Sequence, residues 1–364
     1  MARRANGEGT ICKRADGRWV GAVTLGIDRT TGKAIRKFIY GKTQKDVMNK
    51  ISTLKSEVAA GEYVKPSDMT VELWLNIWLD TYCVHLKPLT LSSYKTIIEK
   101  HILRELNNVP LQALNTYDIQ SFINNLTVSP KTIKNIYGVL NKALNKAAEL
   151  MYIKKNPCGA VSLPKVAKPK IRALSDEEIK VLFRELKNTR YYDFYRLALF
   201  TGLRRGELLG LTWDCYKREA GYLSIYRQLQ MINGEYTFIT PKGGKSRTVA
   251  LPNVAIELID GLKSNDESEF IFHNEIGEHF SISNIGTVFR ECVKKSGIEN
   301  ATLHDLRHTY AVNALRAGDN FKSVQNNLGH ATPAFTLDRY ATITDDMIRE
   351  SQNKLQGFFR TLDI

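Results

Sequence analysis

Leu303-His304-Asp305-Leu306-Arg307-His308 places two histidines and an arginine at helical spacing. His304 and Arg307 are three residues apart, and residues with this spacing lie on one face of an α-helix. The two side chains can therefore converge on one ligand group. His308 stands four residues after His304, which would also suit two metal ligands. Zinc or iron would need a third ligand, and Asp305 points away from that face, so metal ligation stays the less favoured alternative.

Four further residues are candidates for the same site, and the setting of one of them, Arg204, suits phosphate binding. Arg204 follows Thr201-Gly-Leu at a glycine-flanked turn before a predicted helix. At such a position the guanidinium group of an arginine can bind a phosphate, helped by the N-terminus of the helix. Lys242 lies in a predicted glycine-rich hairpin turn. His330 follows a predicted helix that ends at glycine, and Tyr340 comes ten residues later. Each signal is weak alone, because surface arginines, turn lysines and half-buried tyrosines are common.

The charge of the chain is concentrated at its N-terminus. The 364 residues carry 52 Lys and Arg against 38 Asp and Glu, a net charge of +14. Residues 1–65 hold 14 basic and 6 acidic side chains, whereas residues 166–364 hold 27 and 25. Charge for solubility could explain the total, but so uneven a distribution favours a surface that binds a polyanion such as nucleic acid.

The composition excludes several classes of protein. Hydrophobic residues make up 43% and charged residues 25%, which is close to the globular average and excludes a largely disordered chain or a collagen. No apolar stretch reaches the length of a membrane span, and no export signal is evident, so we expect a cytoplasmic protein without a membrane partner. The five cysteines form no CxxC pair, which predicts neither a zinc site nor a disulfide framework.

Hydrophobic periodicity and turn residues divide the sequence into three regions. Residues 9–41 show short period-two runs separated by turns, which predicts three antiparallel strands, and Thr43-Gln-Lys-Asp46 predicts the start of a helix that ends near Ala60. Residues 70–153 have helical periodicity. After a proline-rich basic linker at 155–172, helical patterns return, with an extended stretch at Tyr222–Leu251.

These patterns predict a multidomain, mainly α fold. A small three-stranded sheet with one helix forms a first domain at residues 1–65, and a helical domain covers residues 66–165. Residues 170–364 form a mixed, mostly α domain with a β-hairpin, and this last domain holds the six candidate residues. At about 100–200 residues a domain, three domains suit the length of the chain.

The six candidates stand in an order that resembles the tyrosine recombinase (phage integrase) family. The matching segments are Thr-Gly-Leu-Arg204, Pro-Lys242-Gly, Leu-His304-Asp-Leu-Arg307-His-Thr, Leu-Gly-His330 and Tyr340. All six family positions carry the expected residue type, and the resemblance covers essentially the whole chain. The first domain resembles the arm-site-binding domain of integrases from conjugative transposons and temperate phages, and the second resembles the family's core-binding domain.

The resemblance implies a site-specific recombinase that integrates and excises a mobile element. Tyr340 would attack the scissile phosphate and form a 3′-phosphotyrosine, while Arg204 and Arg307 would hold the non-bridging oxygens. Lys242 would protonate the 5′-oxygen, His304 would act as base for the tyrosine, and the sixth residue, His330, would bind the phosphate. No cofactor, metal ion or ATP would be needed.

The resemblance also implies partners and local contacts. The partners would be double-stranded DNA at core and arm sites and three further copies of the chain in a tetramer on DNA, with an excision factor and a DNA-bending protein as further candidates. Arg205 is the alternative to Arg204, and we expect Glu207 to orient Arg204 through an ion pair. The 24 residues after Tyr340 are expected to dock on a neighbouring subunit or on their own domain.

Three other functions share part of this pattern. A DNA-binding regulator with a vestigial site would keep the charge and the domains, but it has no need of Lys242 and Tyr340 together. A type IB topoisomerase would share the tyrosine chemistry, but it has no use for a second, distant DNA site. A metal-dependent nuclease using His304 and His308 would lose its activity in a chelator.

Overall fold

The computed structural model describes residues 10–27, 31–61, 63–167, 172–232, 234–241, 244–263 and 268–329. Contacts divide the chain into two compact units, residues 1–167 and 168–364. The predicted fold class, mainly helical with a small N-terminal sheet, is confirmed. The first unit contains two separate apolar cores, one in the N-terminal sheet and helix and one among the helices that follow. The three-domain division within the chain stays a prediction.

The N-terminal segment forms the three antiparallel strands that the sequence predicts. They are β1 (Thr10–Lys13), β2 (Trp19–Ile27) and β3 (Ala34–Gly41), paired in that order, and α1 (Gln44–Ala59) covers one face of the sheet. Thr43 caps α1 by accepting a hydrogen bond from the backbone N–H of Asp46 at 3.1 Å. The strand and helix share a small core, formed by Val23, Val47, Ile51 and Leu54.

The helices of residues 70–150 pack around a second core. They are α2 (Val71–Ile77), α3 (Pro88–Ile97), α4 (Leu103–Leu106), α5 (Thr116–Asn125) and α6 (Pro130–Glu149), with π-helical turns at Trp78–Tyr82 and Ile98–Ile102 and a 3₁₀ turn at Pro157–Ala160. Asn115 and Ser129 cap α5 and α6 through their side chains. Trp74 is fully buried, and its indole N–H donates to the carbonyl of Ala143 at 3.0 Å, which ties α2 to α6.

Helix α6 has two distinct faces. Its apolar stripe is buried in the core, while Lys131, Lys134 and Lys142 are exposed. Lys142 Nζ lies 2.7 Å from the hydroxyl of Tyr94. Among the described helices, none is long and apolar enough to cross a membrane.

The second unit contains seven helices and five short strands in its described part. They are α7 (Asp176–Leu186), α8 (Tyr192–Thr201), α9 (Arg205–Leu209), β4 (Tyr216–Lys217), β5 (Tyr222–Ile225), β6 (Gln228–Ile232), β7 (Glu235–Ile239), β8 (Arg247–Ala250), α10 (Asn253–Leu262), α11 (Ile282–Lys295), α12 (Leu303–Arg316) and α13 (Phe321–Leu328), with a 3₁₀ turn at Trp213–Cys215. Ser175 and Glu178 form both bonds of a capping box at the start of α7. One large apolar core joins most of these elements, and a smaller cluster packs α13 against the C-terminal half of α12.

The strands of the second unit belong to two sheets. β4, β5 and β8 form one antiparallel sheet, and β6 pairs with β7 in a separate hairpin. The sequence predicts a hairpin turn around Lys242, and this prediction is wrong. β7 and β8 flank that residue but pair with different strands, because the β6–β7 hairpin is inserted between β5 and its partner β8.

A left-handed glycine ends α8 and sets the path of the chain towards Arg204. Gly202 has φ +61°, a conformation that only glycine adopts without strain. A Cβ at this position would overlap the ring of Tyr310 and would lie 2.9 Å from Leu328 Cδ2. The turn therefore packs directly against α12 and α13, and Arg204 follows two residues later.

Candidate active site

Arg204 is held at the N-terminus of α9. It is the residue that precedes the first turn of that helix, and its backbone N–H donates to Glu207 Oε2 at 2.9 Å. Its guanidinium donates to Glu207 Oε1 at 2.9 Å and to the carbonyl of Gly329 at 3.1 Å. The ion pair predicted from the sequence is therefore confirmed. Arg205, the alternative, is exposed.

Glu207 is a fully buried carboxylate between two arginines. Besides Arg204, it accepts hydrogen bonds from both terminal nitrogens of Arg247, at 2.9 and 2.7 Å. Burial alone would raise the pKa of Glu207, but hydrogen bonds from Arg247 and the charges of both arginines lower it to about 2. Glu207 is thus a permanent anion at neutral pH, and its hydrogen-bonding capacity is taken up by the two arginines.

Arg247 is the residue of this site that the sequence analysis missed. It opens β8, only 11% of its side chain is exposed, and its Nε–H donates to the carbonyl of Asn327 at 2.8 Å. The available signal was a lone arginine at the start of an extended run, five residues after Lys242. That signal does not distinguish a buried arginine from a solvated one.

Arg307 lies in the interior of the second unit. It is on α12 and only 3% exposed, and its guanidinium donates to the carbonyls of Gly202 and Leu328 at 2.7 and 2.6 Å. The Gly202 contact ties α12 to the turn that leads to Arg204. The structure therefore brings Arg204 and Arg307 together, since they bond to the adjacent carbonyls of Gly329 and Leu328.

Three arginines meet at the C-terminal end of α13. Arg247, Arg307 and Arg204 donate to the carbonyls of three consecutive residues, which are Asn327, Leu328 and Gly329. Carbonyls at this end of a helix have no partner within the helix and carry the negative end of its dipole. The arginines supply the missing donors and anchor the segment that immediately precedes His330.

His304 lies beside Arg307, as their helical spacing predicts. His304 is exposed at the start of α12, and both residues line a cavity of about 360 Å³ that Arg205 also borders. His308 is buried, and its ring centre lies 4.7 Å from that of His304 in an edge-to-face arrangement. Within the described ranges, no cluster of three or more His, Cys, Asp or Glu side chains could hold a metal ion.

Three of the six candidates lie outside the described residues. These are Lys242, His330 and Tyr340. The residue that precedes each of the first two is described. Pro241 is the residue before Lys242, and Gly329, the left-handed residue that ends α13, comes directly before His330. The predicted end of a helix at this glycine is confirmed.

Replacing Glu207 with Gln should destabilise the second unit in a pH-dependent way. Removing one partner of a buried ion pair costs about 3–5 kcal/mol, so Glu207→Gln should lower the free energy of unfolding by about this amount at pH 7. The folded-state pKa of about 2 lies below the ordinary value of 4.5, so the carboxylate's contribution is present above pH 4.5 and is lost as the pH falls through 2. Urea unfolding at several pH values measures the difference.

The matched control is Glu257→Gln, which changes an exposed carboxylate on α10. Its effect should stay within about 0.5 kcal/mol at every pH. A difference between Glu207→Gln and the wild type that is as large at pH 3 as at pH 7 would contradict the burial of an ionised carboxylate here.

Two family models match regions of this chain. Residues 172–347 match the Phage integrase family, and residues 70–127 match the Phage integrase, N-terminal SAM-like domain. A relative named tyrosine recombinase XerC-like, from Caldanaerobacter subterraneus subsp. tengcongensis, is 31% identical over 93% of this chain and 95% of its own length. The ICEBs1 integrase of Bacillus subtilis is 24% identical, with 95% and 99% covered.

Solved structures share the fold. The Tn1549 transposon integrase, solved in complex with a circular intermediate DNA, aligns with a TM-score of 0.69 at 22% identity, covering 79% of this chain and 99% of that one. A lambda integrase dimer bound to a core site aligns with a TM-score of 0.62 at 21% identity, covering 93% and 96%. The relative that is 31% identical over 93% of the chain shows that the chain belongs to the phage integrase family of tyrosine recombinases.

Proposed function

We propose that this protein is a site-specific DNA recombinase that integrates and excises a mobile element. Members of its family exchange DNA strands, and relatives that align over nearly their whole length are named as a tyrosine recombinase and as the integrase of ICEBs1. The observation that carries the proposal is the meeting of Arg204 and Arg307 on adjacent carbonyls directly before His330. Two fixed guanidinium groups at one point are suited to a phosphate with two non-bridging oxygens.

The reaction that we assign to the site is a transesterification. The hydroxyl oxygen of Tyr340 forms a bond to the scissile phosphorus, and the bond between phosphorus and the 5′-oxygen breaks. The tyrosine proton passes to His304, and Lys242 donates a proton to the departing 5′-oxygen. A 5′-hydroxyl of a partner duplex then attacks the 3′-phosphotyrosine, which restores the tyrosine and joins the exchanged strand. The phosphodiester energy is kept in the covalent bond, so the cycle needs no ATP.

The arginines take the electrostatic part of this reaction. Arg204 and Arg307 hold the non-bridging oxygens and balance the charge that develops in the transition state, with His330 as a further hydrogen-bonding group. Their guanidinium groups are fixed on main-chain carbonyls and on Glu207, so little reorganisation is needed when the phosphate arrives. In this scheme the arginines do what metal ions do in many nucleases.

A covalent adduct that forms in EDTA tests this reaction. Nicked duplexes that carry the junctions of the encoding element should yield a denaturant-resistant protein–DNA adduct with the wild type, because the nick lets the 5′-hydroxyl fragment diffuse away. Tyr340→Phe lacks the nucleophile and should yield none, although it binds the same duplexes. Denaturing gel electrophoresis of labelled DNA measures both, and the labelled fragment maps the cleavage position.

Tyr216→Phe is the matched control, because the hydroxyl of Tyr216 bonds to Asp260, which contacts neither Arg204 nor Arg307. It should form the adduct as the wild type does. Specific binding of several junctions without any adduct would favour a regulator with a vestigial site. An adduct formed only without EDTA would favour a metal-dependent nuclease.

We also propose that residues 1–65 bind arm-type DNA sites, while residues 66–165 and 170–364 hold the core site. The support is the face of the N-terminal sheet opposite α1. Arg36, Phe38 and Tyr40 alternate along β3 and are all exposed, and Arg14 lies 5.9 Å over the ring of Tyr40. A row of exposed aromatic and basic side chains on a sheet suits contact with DNA bases and phosphates.

Arg36→Gln should weaken arm-site binding in a salt-dependent manner. The loss of one phosphate contact should reduce the slope of log affinity against log salt by about one unit. Fluorescence anisotropy with duplexes tiled across both ends of the element measures the slope. Lys45→Gln removes one charge from an exposed position on α1 and should leave the slope unchanged. Equal slopes for the two variants would contradict the placement of DNA on this face.

The assembly that we propose is a tetramer on DNA. A related solved structure is a lambda integrase tetramer bound to a Holliday junction, which shares the fold at 22% identity. Strand exchange between two duplexes requires four cleavages, one for each copy of the chain. An excision factor and a DNA-bending protein would complete the assembly, with the direction of the reaction set by their presence.

A further inference from the structure

Arg247 pairs with Glu207, the same carboxylate that pairs with Arg204. Both its terminal nitrogens bond to Glu207, and its Nε–H bonds to Asn327 at the end of α13. It is almost completely buried, so its charge lies in an environment with little water to screen it. The six positions that define the family resemblance do not include it.

The charge balance of this cluster assigns a role to Arg247. With Glu207 and Arg204 alone, one anion would neutralise one cation, and Arg204 would contribute little positive potential to a phosphate. Arg247 adds a second cation on the same carboxylate, so the three side chains together carry a net charge of +1. Because both oxygens of Glu207 also accept from Arg247, the Arg204 guanidinium bonds to Oε1 alone.

We infer that Arg247 is a positioning residue for the cleavage reaction: through Glu207 it orients Arg204 and keeps that guanidinium's charge available to the scissile phosphate. Through Asn327 the same side chain anchors the end of α13, two residues before Gly329 and three before His330. The inference rests on the proposed function, because it requires that Arg204 binds the phosphate. Arg247 itself needs no contact with DNA.

A neutral substrate separates this role from a structural one. A methylphosphonate at the scissile position carries a methyl group in place of one charged oxygen. Its cleavage rate therefore depends less on the positive charge of Arg204, Arg247 and Glu207 taken together. Single-turnover cleavage of the phosphodiester and of the methylphosphonate is measured for each variant of the full-length chain, once the cleavage position is mapped. The informative quantity is the ratio of the two rates.

Arg247→Met should slow cleavage of the phosphodiester on the order of 100-fold, the usual effect of losing one preorganised charge contact. On the methylphosphonate, the same variant should stay within about tenfold of the wild type, because the missing charge matters less there. Arg247→Gln also removes the charge but can still donate a hydrogen bond to Glu207, and it should show the same change of ratio. Arg247→Lys keeps the charge and should restore most of the wild-type ratio.

Val249→Ala is the structural control. Val249 is fully buried on β8, two residues after Arg247, and its truncation leaves a cavity without touching the ion cluster. It should lower the unfolding temperature and keep the wild-type ratio of rates.

Two results would overturn the assignment of Arg247. One is an Arg247→Gln or Arg247→Met protein that cleaves the phosphodiester as fast as the wild type. The other is an equal loss on both substrates, which would make the residue purely structural. A wild-type protein that forms no adduct with either substrate would instead overturn the proposed function, and this inference with it.

Discussion

The shared carboxylate of Glu207 is the constraint on which the site depends. It is fully buried, it accepts four hydrogen bonds from two arginines, and its pKa is about 2, so it is charged at neutral pH. A buried anion without partners would cost several kcal/mol, which means that Arg204 and Arg247 must stay in place while the unit is folded. Folding and the orientation of the candidate active site are therefore coupled.

The end of α13 is the second fixed point. Its last carbonyls receive one arginine each from β8, α12 and the N-terminus of α9, so elements far apart in sequence converge on three consecutive residues. The left-handed Gly329 then turns the chain away from the helix. The positions of the arginines and the exit of the segment that leads to His330 and Tyr340 are thus set by the same hydrogen bonds.

The sequence predicted those structural features that depend on interactions between residues close together in the chain. The strands of residues 10–41, the cap Thr43 and the glycine that ends α13 were all evident, because each depends on residues within a few positions. The pairing of β8 with β5 and the role of Arg247 were not evident. Both depend on contacts across tens of residues, and a hairpin inserted between paired strands leaves no mark on the periodicity.

The most direct test of this account is the cleavage rate of the double variant Glu207→Gln with Arg247→Met. Arg247→Met alone leaves the cluster with no net charge, and adding Glu207→Gln restores a net charge of +1 without restoring any lost contact. If charge available at Arg204 limits the reaction, the double variant will cleave the phosphodiester faster than Arg247→Met alone. A double variant that is slower still, with the two losses multiplied, would contradict the account.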